Sequence, residues 1–113
     1  MRISEIAKLI DGEVLSGNAE EGTVDKAFSS DLMSDVLTLE TDNTLLITGL
    51  ANLQAIRTAE MSDINCIVFA RNKKVTEDMI NLAEENNMII VRTSCSVFKT
   101  SGELYNAGIE PIF

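Results

Sequence analysis

Apolar positions along this chain follow two periods. From residue 44 onward they form short continuous runs: Thr44 to Thr48 in "TLLITGL", Ile64 to Ala70 in "INCIVFA", and "MIIVRT". Runs that are apolar on both faces predict buried strands of a parallel sheet covered by helices. Between the runs the spacing becomes helical. "NLQAIRTAEMSD" brings Leu53, Ile56 and Ala59 or Glu60 round in succession, with Asn52 as a possible cap. "TEDMINLAEENN" turns Met79, Ile80 and Ala83 inward, caps itself with Thr76 and carries Glu77 and Asp78 in its first turn. "SCSVFKTSGELYNAGI" closes with a last helix, capped by Ser94 or Ser96, and a glycine-containing end. The strand centres Leu46, Val68 and Ile90 lie 22 residues apart. That is the length of a strand, a helix and two short loops. The side chains do not match between units, so the repetition is one of βα geometry and not of sequence. Right-handed crossovers then predict a three-stranded parallel core.

The first third is less regular. "ISEIAKLID" places Ile3, Ile6, Leu9 and Ile10 at helical spacing, with Ser4 as N-cap and Gly12 as stop. Strands are predicted at Glu13–Ser16 and Val24–Phe28, separated by the turn composition "GNAEEG". "SSDLMSDVL" predicts a short helix capped by Ser29 or Ser30, with Leu32, Met33, Val36 and Leu37 as its apolar residues. The two strands extend the main sheet or form a small β-layer at its edge, and extension is the preferred reading. The tail "GIEPIF" holds the one proline and covers an edge or serves a partner subunit. The expected fold class is α/β: a mostly parallel β-sheet flanked by helices, with successive βα units in the C-terminal two thirds. At 113 residues, the chain is expected to form a single domain, 1–113, with a real core.

Composition narrows the chemistry. The net charge of −9 opposes nucleic acid and anionic membrane surfaces as partners. No apolar run approaches a membrane span, and the charged start does not read as a signal peptide. Cys66 and Cys95, without a secretion signal, predict two free thiols and a cytoplasmic location. There is no histidine. That removes Ser-His-Asp and Cys-His catalysis, imidazole metal sites and the commonest general base. Two cysteines without histidine do not make the usual zinc site, so no metal and no cofactor is expected. With no tryptophan and one tyrosine, stacking platforms for single-stranded nucleic acid are also missing.

Candidate binding residues lie where strands end, because open parallel sheets bind ligands beyond their carboxyl ends. In "TGLAN", Thr48, Gly49 and Asn52 suit a phosphate on a βα turn; a small residue and a cap are also what any such turn needs. Ser29, Ser30 and Asp31 suit a ribose or a phosphate, or simply cap a helix. Thr93 and Ser94 of "RTSCS" present hydroxyls at the same rim, or cap. Arg71 opens "RNKK", the one basic cluster, which suits a phosphate or is a solvated loop. Cys95 has neither histidine nor a neighbouring cysteine to activate it, and Cys66 reads as a small core residue. No carboxylate pair has a spacing that nominates an acid and a base.

Three stretches together resemble the DRTGG domain family over nearly the whole chain. They are the strand "LLITGL", the segment "NLQAIRTAEMSDINCIVFARNKKVTEDMINLAEENNMIIVRTSCSVFKTSGELY" and the opening "IAKLIDGEVLSG". Such domains stand alone, or sit beside phosphotransacetylase, in some regulated pyrophosphatases, and next to sensory nucleotide-binding repeats. The implied fold is similar to the N-terminal domains of muramyl ligases and of the kinase that phosphorylates a sugar-transport carrier protein on serine. The resemblance implies a regulatory or assembly module that often dimerises and has no established activity of its own. The namesake motif is replaced by "TGLAN", residues 48–52, or "ARNKK", residues 70–74, so no ligand residue carries over. The kinase's P-loop, G-x-x-x-x-G-K-S/T, is absent as well. The expected function is therefore a non-enzymatic regulatory and dimerisation module, a homodimer with a possible protein partner. The alternative is a sensor that binds a nucleotide or phosphate ester at the strand ends.

Overall fold

The computed structural model describes residues 1–113. The elements run α1 (Ile3–Leu9), β1 (Glu13–Ser16), β2 (Lys26–Ser29), α2 (Met33–Val36), β3 (Thr44–Thr48), α3 (Leu53–Met61), β4 (Cys66–Phe69), α4 (Glu77–Glu85), β5 (Ile89–Arg92), α5 (Val97–Asn106) and β6 (Glu110–Pro111). All six strands form one sheet in the order β1-β5-β4-β3-β2-β6. β2 to β5 are parallel and adjacent in chain order, β6 joins β2 in parallel, and only β1 runs antiparallel, against β5. The parallel core is thus four strands in sequence, not three. Its fourth member is β2, which the apolar pattern marks only weakly because Lys26, Ala27 and Phe28 are half-buried.

Alternation along the central strands separates two cores. Leu46, Ile67, Phe69 and Ile90 face Met33, Val36, Ile56, Ala59, Met79 and Ala83 of α2, α3 and α4. Leu45, Ile47, Cys66, Val68, Ile89 and Val91 face Ile3, Ile6 and Ala7 of α1 and Leu104 of α5. Crossover handedness accounts for this split. Steps from β2 through β5 all move one way across the sheet and lay their helices on one face. The return from β5 to β6 moves the other way, so the same right hand lays α5 on the opposite face.

Four helices end in the same way. The first residue past the C-cap takes a left-handed conformation: Asp11 (φ 50°), Asp63 (φ 58°), Asn87 (φ 56°) and Gly108 (φ 104°). The next residue donates its N–H back five positions, Gly12 to Ala7, Ile64 to Ala59, Met88 to Ala83 and Ile109 to Leu104. This is the Schellman arrangement. In three of the four the residue after the turn is a large apolar side chain, and Ile64, Met88 and Ile109 are all buried.

Several local expectations are corrected. Ser4 does not cap α1; Arg2 stands at the cap without a side-chain bond. Gly12 is not the left-handed stop, because Asp11 takes that role. β2 is shifted to Lys26–Ser29, since Val24 turns into the core before the ladder begins. β4 is Cys66–Phe69 and not Ile64–Ala70. The tail covers an edge: Glu110 and Pro111 pair with Lys26 and Ala27. Asn52, Thr76 and Ser96 cap α3, α4 and α5 through Ala55, Met79 and Lys99.

Candidate functional site

The carboxyl ends of β2, β3, β4 and β5 share one rim. In a sheet of this topology a crevice opens where adjacent strands send their connections to opposite faces. Here those strands are β4, followed by α4, and β5, followed by α5. The chain fills that crevice with its own backbone. After β4, Arg71 and Asn72 both adopt left-handed conformations, φ 64° and 53°. Their N–H groups donate to Cys95 and Thr93 carbonyls, each at 2.7 Å. Two consecutive non-glycine residues in this conformation are costly, and the two short bonds hold them there.

The predicted rim residues divide accordingly. The Thr93 hydroxyl is buried and donates to the Ile10 carbonyl at 2.6 Å while accepting from the Cys95 N–H, so it ties β5 to α1 and is not offered to a ligand. Ser94 is exposed but lines none of the clefts described below. Ser29 is the last residue of β2 and shares a 2.7 Å hydrogen bond with Ser101 of α5. Ser30 is not a helix cap; its hydroxyl oxygen accepts from Leu32 N–H in a tight turn, and Leu32 holds the uncapped N-cap position of α2. The Asn52 oxygen is taken by Ala55 N–H at 2.9 Å. Four of these five thus bond within the chain, and Ser94 has no side-chain hydrogen bond.

Asp31, Thr48, Gly49 and Arg71 do come together. Asp31 Oδ1 accepts from the Thr48 hydroxyl at 2.9 Å and from Gly49 N–H at 2.7 Å. The close approach that glycine permits at residue 49 is therefore used by the chain's own carboxylate. A Cβ on Gly49 would stand 3.4 Å from Asp31 Oδ2. Asp31, Gly49, Arg71, Lys73 and Val97 enclose a small open cleft of about 120 Å³. The sequence singles out Lys73 only as part of "RNKK"; its position directly after the Arg71–Asn72 turn is the available signal. The three ion pairs of the chain join Lys26 to Asp25 and Asp42, and Arg92 to Glu13. Neither Arg71 nor Lys73 is in an ion pair, although both share a cleft with Asp31.

Two other features complete the chemistry. An apolar cleft of about 270 Å³ lies at the β2–β6 edge, bordered by Phe28, Leu104, Tyr105, Ile109 and Phe113. The Phe113 ring meets Phe28 edge-on, with centroids 6.1 Å apart. Cys66 is buried in β4, and burial pushes its thiol pKa well above the ordinary value of 9.0. No group of three or more Cys, Asp or Glu side chains is placed to hold a metal.

Comparison with curated proteins finds none that matches this chain. Among solved structures, the fold is similar to the crystal structure of the CBS and DRTGG domains of the regulatory region of Clostridium perfringens pyrophosphatase, complexed with the activator diadenosine tetraphosphate. The TM-score is 0.77 at 16% identity, over 91% of this chain and 45% of that one. The chain thus spans less than half the length of that regulatory region. The DRTGG domain model matches residues 5–107, nearly the whole sequence, and the chain therefore belongs to the DRTGG domain family.

Proposed function

We propose that this chain is a non-enzymatic regulatory module that works by self-association. One observation carries the reading: three of the chain's five aromatic side chains stand in solvent on α5 and the tail. Phe98 is 89% exposed, Tyr105 66% and Phe113 90%. Phe98, Gly102 and Tyr105 fall at i, i+4 and i+7, so they form one stripe along α5. The buried face of that helix, Thr100 and Leu104, points the other way. Exposed aromatic side chains gathered on one surface mark an interaction site, and aromatics supply most hot-spot energy at such sites. Gly102 has no atom within 4 Å of where a Cβ would stand, so nothing inside the monomer accounts for a glycine in mid-helix.

A regulatory role agrees with family membership and with the regulatory setting of the pyrophosphatase domains. The absence of histidine and of an acid–base pair argues against catalysis. The cytoplasm is the proposed location, in keeping with two unpaired cysteines. No helix is long and apolar enough to cross a membrane.

Sedimentation equilibrium tests the reading. The wild-type chain is expected to give the mass of a homodimer at micromolar concentration. Phe98→Ser should weaken association by about thirtyfold, the equivalent of about 2 kcal/mol for an aromatic hot spot. Its far-UV circular dichroism should not change, because the ring packs on nothing within the monomer. A monomeric wild type at high micromolar concentration, with no partner recovered on an immobilised chain, sinks the proposal.

A second reading, effector binding at the carboxyl rim, is favoured by Arg71 and Lys73, which line one cleft with Asp31 and make no ion pair there.

A further inference from the structure

The geometry points to a hydroxyl-bearing phosphate ester, such as a sugar phosphate or the ribose-phosphate end of a nucleotide, as the ligand of the cleft between Asp31, Arg71 and Lys73. This rests on the rim-binding reading above and gives it a chemistry.

The cleft presents two opposite kinds of group across about 120 Å³. On one wall is the Asp31 carboxylate. Its Oδ1 is fixed by Thr48 and Gly49, which leaves Oδ2 without a hydrogen-bond partner. A carboxylate held this way accepts from an alcohol O–H in a short, charge-assisted bond. On the other wall are Arg71 and Lys73. Neither lies within ion-pair distance of Asp31 or of any other of the chain's eighteen carboxylates. Seven of the nine Lys and Arg side chains make no ion pair, and Arg71 and Lys73 are the two of them that line this cleft, where they are placed for an anion from outside.

The two walls together select the ligand. A bare phosphate placed between the cations is also brought close to Asp31, and the two negative charges repel. A ligand that ends in a carboxylate or a fully ionised phosphoryl group alone therefore leaves Oδ2 unsatisfied and incurs that repulsion. A phosphate ester with a neighbouring hydroxyl satisfies both walls at once, with O–H donating to Asp31 Oδ2 and phosphoryl oxygens accepting from Arg71 and Lys73. A cation is excluded by the same two side chains. The cleft is small and open, so it grips one end of a ligand and leaves the rest in solvent. The backbone around it is held in advance: the Arg71–Asn72 turn is pinned to Cys95 and Thr93, and the Thr48–Gly49 turn to Asp31. Little ordering is then required on binding.

Nitrogen-15 NMR titration of the full chain at about pH 8, where a phosphate monoester has lost both protons, tests this with three probes: methyl phosphate, ribose 5-phosphate and ribose. Ribose 5-phosphate is expected to shift the Gly49, Arg71 and Asn72 amides saturably and to bind at least about tenfold tighter than methyl phosphate, the value of one charge-assisted hydrogen bond. Lys73→Gln should weaken both phosphate-containing probes by similar factors. Asp31→Asn keeps the oxygen that accepts from Gly49 and Thr48 and replaces Oδ2 by a donor. It should abolish the preference for the sugar ester and strengthen binding of methyl phosphate. The amide spectrum itself reports whether each variant is folded. If the two esters bind equally and Asp31→Asn changes nothing, the hydroxyl contact is wrong while rim binding stands. If none of the three probes shifts these amides saturably, both are wrong.

Discussion

Ser16 ends β1 with its hydroxyl between two backbone groups at the start of the neighbouring strand, β5. It donates to the Met88 carbonyl at 3.0 Å and accepts from Ile90 N–H at 3.2 Å. The pairing of β1 with β5 slips between Val14 and Ser16, and the side chain supplies the bonds that the irregular ladder does not. Ser16→Ala should therefore cost about 1–3 kcal/mol, because it strands a buried donor and a buried acceptor. A fall in the urea midpoint at constant m-value checks this. Cys66 gives the residue-scale pH dependence. Its thiol stays protonated in the folded chain and ionises once unfolded, from about its ordinary pKa of 9.0. The unfolded state then binds fewer protons than the folded one, so stability falls as pH rises past 9.0. Lys26 is raised above 10.5 by its hydrogen bond to Asp25, so its own contribution is lost only above that value. Between pH 9.0 and 10.5 the melting temperature of wild type should decline more steeply than that of Cys66→Ala. Equal slopes would remove the thiol as the cause. At this scale the sequence left the rim hydroxyls open between a ligand and a cap. Thr93, Ser29 and Ser30 look alike as side chains, and only their neighbours Ile10, Ser101 and Leu32 reveal that they are occupied.

Elements were more legible than residues. β3 has its expected bounds, Thr44–Thr48, because all five residues are buried, with Asn43 before the run and the Gly49 turn after it. The caps Asn52 and Thr76 were legible because a capping side chain bonds to backbone only three residues away. The turns that end α3 and α4 were missed although their signal is also local: Asp or Asn followed by a large apolar residue, as in Asp63-Ile64 and Asn87-Met88. Helix α5 carries the element-scale prediction. Gly102 lies in its middle with ordinary helical φ and open space around it. Gly102→Ala should stabilise the monomer by about 1 kcal/mol through backbone entropy. Thermal unfolding of Gly102→Ala in the Phe98→Ser background isolates that effect from self-association. A loss of stability there would mean that the glycine serves the monomer after all.

At the scale of the whole molecule, the two faces of the sheet are covered unequally at their margins. α2, α3 and α4 close one face, while α1 and α5 close the other and leave aromatic rings outside. If those rings meet a second copy, folding and association are linked. The melting temperature of wild type should then rise with protein concentration, and that of Phe98→Ser should not. A concentration-independent wild type would count against the dimer as firmly as a monomeric mass.

The chain's own order of residues determined the α/β class, the succession of βα units, the buried strands and the caps of α3, α4 and α5. Each of these depends on periodicity or on bonds between residues a few positions apart. Tertiary structure alone decided the rest. It set β2 parallel beside β3 and β1 antiparallel beside β5, and it sent α5 across the opposite face. It closed the β4–β5 crevice with the Arg71–Asn72 turn and brought Asp31 to Gly49 across 18 residues of chain. Those outcomes depend on which groups meet after the sheet has formed. A carboxylate reads the same in sequence whether it faces solvent, pairs with an arginine or occupies a backbone N–H.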